Sequence, residues 1–400
     1  MKSDNELVID ADGHILEPPD LWEKYIEPRY RDRAIRIRPG DDGWEFLEVD
    51  GHPAKYTPRG MLGRISCMGG KMQETNRLRQ EWIANARQGP VPFVAVTRDE
   101  TYLSGAGHGT MDPRERLTRM DDEGLDKSVL YPTLGLTWEI ETTDAELSAA
   151  YCQAYNRWIV EFCADGGRRL VPIAHVSLGD PKAAARELER AVKSGCKGAF
   201  IAPLSITGKA HGHPDNDSVY AAAQDLDVPI GFHPTFEPAE WTFNRFKRIK
   251  GPAGLWFGVM FTNQSTIQAF TSLFAYGAFD KFPKLRVVVL ESGAGWIGWW
   301  LDRADALFTG TLVGGGLPLA EKPSYYFKRQ CFISGDPDEM VISRIADYVG
   351  ADKFFWASDF PHADHPGNYM EEVWELAEQM TPAARRGILG ENVARVYKLG

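Results

Sequence analysis

Four stretches of this sequence run from apolar residues straight into a carboxylate or an imidazole. Val8-Ile9 leads into Asp10-Ala11-Asp12-Gly13-His14, and Gly231-Phe232 into His233-Pro234. Val289-Leu290 leads into Glu291-Ser292-Gly293, and Trp356-Ala357 into Ser358-Asp359-Phe360-Pro361-His362. Carboxylates and imidazoles gathered at one point suit a zinc, manganese or iron ion, one or two of them. Such an ion polarises a substrate oxygen or lowers the pKa of a bound water. Each stretch alone is weak, because a strand-end Asp often caps the next helix and a lone His often packs in a core. Four strand ends that converge are far more specific.

For these side chains to meet, their strands must run parallel and end on one face. Besides Val8–Asp12, apolar runs at Ser128–Tyr131, Leu170–Val176, Gly198–Ala202, Val228–Phe232, Arg286–Leu290, Cys331–Ile333 and Phe354–Ala357 read as strands. Helical patterns separate most of them, with starts marked by Asp112-Pro113, Asp180-Pro181 and Thr381-Pro382. Eight strand–helix units with right-handed crossovers predict a closed (β/α)₈ TIM barrel, with residues 1–400 as a single metal-dependent domain. Alternation then places Asp10, Asp12 and His14 on one side of the first strand.

One segment breaks the rhythm. Residues 34–111 open with Ile35-Arg36-Ile37, turn at Pro39-Gly40-Asp41-Asp42-Gly43 and return through Trp44–Val49, which reads as a β-hairpin. The segment follows strand 1 on the face where barrels keep their sites, so it is expected to be an insertion that acts as a lid.

Composition narrows the partners. Among 400 residues, 45 Lys and Arg against 56 Asp and Glu give a net charge of −11, a poor match for phosphate backbones. No apolar stretch approaches the roughly 20 residues of a membrane span. The five cysteines are scattered without a CxxC pair, and the N-terminus carries no apolar signal region. The expectation is a cytoplasmic protein that takes a small-molecule substrate, binds neither nucleic acid nor membrane, and is free to form a homo-oligomer.

Other polar residues have more ordinary readings. His175, at the end of the third strand, fits either a pocket wall or a buried structural role. His211 and His213 form a His-x-His in a loop, a spacing that can bind metal but here lacks a strand. His362 and His365 follow the last carboxylate, and His362 is the better acid–base candidate. Glu17 reads as local structure within reach of a second metal. Trp256, Phe257, Trp296, Trp299 and Trp300 read as core, oligomer surface or substrate cavity.

The segments Ile9–Pro18, Val228–Pro234, Leu290–Trp296 and Trp356–His362 resemble the amidohydrolase superfamily. The likeness is to the branch that includes aminocarboxymuconate-semialdehyde and γ-resorcylate decarboxylases, and Gly390-Glu391-Asn392-Val393-Ala394 is similar to its usual ending. By that resemblance, Asp12 and His14 match the metal-binding pair after strand 1, His233 the strand-5 ligand and Asp359 the strand-8 ligand. Glu291 stands where these decarboxylases have a catalytic His. A carboxylate beside a dication is normally ionised, so Glu291 is able to serve as base or as a further ligand. The resemblance implies a metal-dependent hydrolase or non-oxidative decarboxylase of a small carboxylated, aromatic or cyclic substrate. Glu291 is then the main proton-transfer group, with His362 or His175 assisting. The alternative is a nonheme diiron monooxygenase built on the same residues.

Overall fold

The computed structural model describes residues 6–66, 71–89, 97–204, 206–238, 249, 251–311, 316–362 and 369–400. Its strands are β1 (Ile9–Ile15), β2 (Arg36–Pro39), β3 (Glu45–Val49), β4 (His52–Pro53), β5 (Lys127–Pro132) and β6 (Leu170–Pro172). They continue as β7 (Ala174–His175), β8 (Ala199–Ile201), β9 (Pro229–Phe232), β10 (Arg286–Val289), β11 (Cys331–Gly335) and β12 (Phe354–Trp356). Each of the eight expected runs is found, the third being divided at Pro172-Ile173 into β6 and β7. The parallel order is β1-β5-β6, then β7-β8-β9-β10-β11-β12. Just beyond β12 the chain returns to β1, where His14 N–H donates to Phe360 O (2.7 Å) and Asp359 N–H to Asp12 O (3.0 Å). The protein is an α/β TIM barrel.

Alternation builds two cores. Ile9, Ala11, Val129, Tyr131, Val171, Phe200, Val288, Leu290, Phe332 and Phe355 fill the barrel, and Val393, Val396 and Tyr397 pack against them. Val287 and Val289 face the other way, toward the helices, with Leu188, Val219, Ile230 and Ile297. Burying such side chains is worth about 1.5–3 kcal/mol each, which makes the strands a rigid frame for whatever stands at their ends. The helix starts form as their sequences dictate: Asp112, Asp180 and Thr381 each accept backbone N–H bonds from the first turn.

The simple alternation of β1 does not hold. Its register against β5 shifts between Asp10 and Gly13. Asp10 thereby leaves the company of Asp12 and His14 and spans the barrel seam. It accepts from Ser128 Oγ (3.0 Å) on β5, and from Ser358 Oγ (2.8 Å) and Ser358 N–H (3.0 Å) after β12. Glycine is required at position 13, because a Cβ there would lie 2.5 Å from both Asp10 Oδ2 and Ser128 Oγ.

The predicted hairpin in residues 34–111 gains a third strand, giving the antiparallel order β2-β3-β4. This small sheet joins the loop after β5 through Lys55 N–H and Tyr56 N–H, which donate to Glu141. Tyr102, also in the segment, is fully buried and donates its hydroxyl to Glu17 O (3.1 Å). Cys67 lies outside the described residues.

Candidate metal centre

At the end of β1 and just after β9, two histidines are oriented by the backbone. His14 Nδ1–H donates to Pro132 O (2.8 Å) and His233 Nδ1–H to Pro234 O (2.7 Å). Each bond turns Nε2 toward a common point, where the two Nε2 atoms face one another at 3.1 Å. Asp12 completes the group, with Oδ1 3.6 Å from His14 Nε2 and Oδ2 3.7 Å from His233 Nε2. Asp12 is 1% exposed, yet neither of its oxygens has a hydrogen-bond partner. Buried carboxylates are ordinarily satisfied. A cation shared by the three supplies the partner that Asp12 lacks, and the carbonyl-bound Nδ1–H is the usual support of a metal-ligating His.

The strand-8 and strand-6 ends adjoin this group. Asp359 Oδ1 lies 3.1 Å from His14 Nε2 and 3.0 Å from His362 Nδ1, while Asp359 Oδ2 has no partner. His362 Nε2 meets Thr133 Oγ1 at 2.9 Å. Glu291 Oε2 is 2.8 Å from His233 Nε2. Glu291 and Asp359 both hold positive φ, +38° and +52°, a conformation that costs non-glycine residues energy and recurs at functional sites. Two overlapping donor groups result, Asp12/His14/His233 and His14/Glu291/Asp359/His362, each with its donor atoms within 4.8 Å. The Glu291 side chain is 21% exposed against 2% or less for Asp12, His14, His233 and Asp359, so it stands on the open side.

The charges are strongly interdependent. Burial, with Asp359, Glu291 and Asp10 nearby, pushes the Asp12 carboxyl well above its usual range against the pull of His233. Burial and the neighbouring His362 press His14 down to about 3. Burial opposes a charge on His233, but Asp12 and Glu291 outweigh it and lift this imidazole to about 10. Burial likewise opposes ionisation of Asp359, yet His362 and His14 hold its carboxyl below the ordinary range. Excess negative charge shared around one point is what a dication neutralises.

Residues not singled out by the sequence support the group. Arg116, buried on the helix Pro113–Glu123, donates to His14 O and lies 4.6 Å from the centre of the Phe360 ring. A signal existed, since Arg116 sits four residues before buried Met120 on one helix face. Thr133, which holds His362, follows Pro132 at the end of β5 and carried no such signal. Glu17 proves to be local structure: it accepts from Thr133, Leu134 (2.8 Å) and Gly135 (2.9 Å) N–H.

Other expected residues lie elsewhere. His175 Nε2 meets Glu139 Oε1 at 3.1 Å, and the Phe200 ring neighbours both His175 and His233, at centroid distances of 4.6 and 6.0 Å. His211 is buried with Nε2 on Ala202 O, and His213 accepts from Asp215 N–H, so the two do not act as a pair. His365 lies outside the described residues. Trp300 is largely buried, whereas Trp256 and Trp299 are exposed. Among the described residues no helix is long and apolar enough to cross a membrane.

Comparisons with known proteins bear on the fold and the family. A γ-resorcylate decarboxylase of Rhizobium is 25% identical over 314 residues, covering 74% of this chain and 91% of that protein. An amidohydrolase from Mycobacterium avium subsp. paratuberculosis superposes with a TM-score of 0.78 at 20% identity, over 99% of this chain and 100% of that one. A 5-carboxyvanillate decarboxylase from Novosphingobium aromaticivorans, solved with manganese and 4-hydroxy-3-methoxy-5-nitrobenzoic acid, has a TM-score of 0.62 at 20% identity. It covers 99% of this chain and 97% of its own. Residues 9–399 match the amidohydrolase family model, and the chain belongs to that family.

Proposed function

We propose that this protein is a metal-dependent non-oxidative decarboxylase of a small aromatic carboxylate. The observation that carries the reading is the unpartnered, buried Asp12 carboxylate facing the Nε2 atoms of His14 and His233. Asp12, His14, His233 and Asp359 are the ligands in this reading. Manganese is the favoured ion, given a donor set of carboxylates and imidazoles without sulfur and the manganese-bound carboxyvanillate decarboxylase of the same fold. The names of the similar proteins support the substrate class, a carboxylate on a hydroxylated aromatic ring.

When bound, the ion supplies positive charge that anchors the oxygens of the substrate. Glu291, on the open side, carries the proton. Glu291 passes on a proton taken up from His362 or solvent: as the bond between ring and carboxylate opens, its electron pair forms the new C–H bond with that proton, and CO₂ leaves. His362, fixed by Asp359 and Thr133, stands beside this route and returns a proton to Glu291. His175, engaged with Glu139 and in neither donor group at the centre, takes no part in this reading. The 34–111 segment, anchored on the loop after β5, covers the site and selects among substrates.

The test is CO₂ release from manganese-loaded protein given a panel of hydroxybenzoates that includes 2,6-dihydroxybenzoate and 5-carboxyvanillate. Turnover of one member, lost in Glu291→Gln, is expected. A metal-loaded protein inert to the whole panel would sink the proposal. The two overlapping donor groups also favour a second reading, a diiron monooxygenase. Two irons per chain with near-ultraviolet charge-transfer bands after purification without added metal would decide for it.

A further inference from the structure

A second donor group lies behind the Phe200 ring. Glu139 opens a short turn after β5, Cys152 sits in the helix Ala145–Ala164, and His175 ends β7. One donor atom from each lies within 4.8 Å of the others, and the residues are 5%, 1% and 0% exposed. The frame is rigid. Asn156, one helical turn after Cys152, clasps the His175 backbone through His175 N–H to Oδ1 (2.7 Å) and Nδ2–H to His175 O (3.0 Å). The Trp138 and Phe200 rings close the cage at 5.1 and 4.6 Å from the imidazole.

A simple hydrogen-bonded Glu–His pair leaves one feature unexplained. A thiol completes the triangle beside the Glu139–His175 contact in place of one more apolar side chain. Nitrogen, sulfur and carboxylate oxygen at this spacing form a donor set of the zinc class, and three protein donors leave one coordination position for water.

We infer that Glu139, Cys152 and His175 bind a second divalent cation of the zinc class, through sulfur, apart from the centre at the barrel mouth. The inference does not depend on which reaction that centre performs. Binding forms a metal–sulfur bond and releases the Cys152 proton to solvent, with no change of oxidation state. Its effect is structural: it ties the loop that carries Thr133, the partner of His362, to β7 and to the helix.

The two sites differ in one element, sulfur, so cobalt(II) distinguishes them. Metal-stripped full-length protein titrated with cobalt(II) is expected to take up one equivalent that brings a thiolate-to-cobalt charge-transfer band in the near ultraviolet. His233→Ala should keep that band while losing the mouth equivalent. Cys152→Ser should lose the band and keep the mouth equivalent. X-ray absorption of zinc-loaded wild type should show one sulfur at about 2.3 Å. Saturation with cobalt(II) and no such band in the wild type overturns the inference, whatever the variants do. A band that survives Cys152→Ser overturns it as well, since another thiol must then be the ligand.

Discussion

Asp12 and Glu17 lie five residues apart and are equally hidden from water, at 1% and 0% exposure. Their surroundings could hardly differ more. Glu17 accepts backbone N–H bonds from three consecutive residues, Thr133 to Gly135, and so shapes the loop after β5. Asp12 accepts none and faces the ring nitrogens of two histidines. Burial therefore does not separate a scaffold carboxylate from a ligand. The partner set does: donors already in place mark structure, and a buried carboxylate without them, set among imidazole nitrogens, marks a ligand.

The sharpest way to break this contrast is to remove one charge at a time. Asp12→Asn should lower metal affinity by more than the ~10–100-fold typical of losing an outer-shell partner, whereas Glu17→Gln should leave it nearly unchanged. Equal losses in metal titration would erase the distinction. Glu291→Gln is next in size, and it should lower turnover by ~10²-fold with metal content retained if Glu291 is the proton carrier. A parallel loss of metal would make it a ligand instead, and full activity with full metal would leave it structural.

Glu17→Ala should cost about 2–3 kcal/mol of unfolding free energy, because it leaves several buried N–H groups unmatched. A melt within error of wild type would contradict the scaffold role. Glu17 also carries a pH signature. Burial pushes its carboxyl from the ordinary 4.5 to about 7, so the folded chain binds that proton more tightly than the unfolded chain. Its contribution to stability is therefore fully present below about pH 4.5, declines as pH rises and is lost above about 7. Chemical denaturation at several pH values should show that decline in wild type relative to Glu17→Gln; parallel curves would count against it. The smallest effect is expected from Asp12→Asn in metal-stripped protein, a stability change of less than about 1 kcal/mol, since no hydrogen bond is lost. A large destabilisation there would mean that Asp12 is scaffold after all.

Much of this was legible in the chain. Strand ends reveal themselves as apolar runs that stop at polar residues, and in a barrel every such end lies on one face, so Asp12, His14, His233, Glu291 and Asp359 came together as expected. His175 also follows an apolar run, yet it joins Glu139. Position along a strand is written in the sequence, but the direction of the side chain depends on register. Here β6 pairs with β5 while β7 pairs with β8, across the interruption at Pro172-Ile173. Asp10 escaped for a related reason, because the register shift in β1 is set by Gly13 meeting its neighbours and not by any local pattern. Thr133 is one hydroxyl on a loop, and only the folded contact with His362 gives it meaning. The antiparallel sheet in 34–111 was visible as a hairpin, while its short third strand, His52–Pro53, was too brief to register.

The Asp10 seam bears on how the molecule comes into being. Asp10 and Ser358 are 348 positions apart, and the contact between them brings Asp12 and Asp359 to the same point. This contact joins two ends of the barrel far apart in the chain, and contacts of that kind carry a large loop-closure cost. A nascent chain still short of Asp359 has most of its strands and both histidines but only part of the donor set. Closing the barrel seam and completing the proposed donor set are therefore one and the same event.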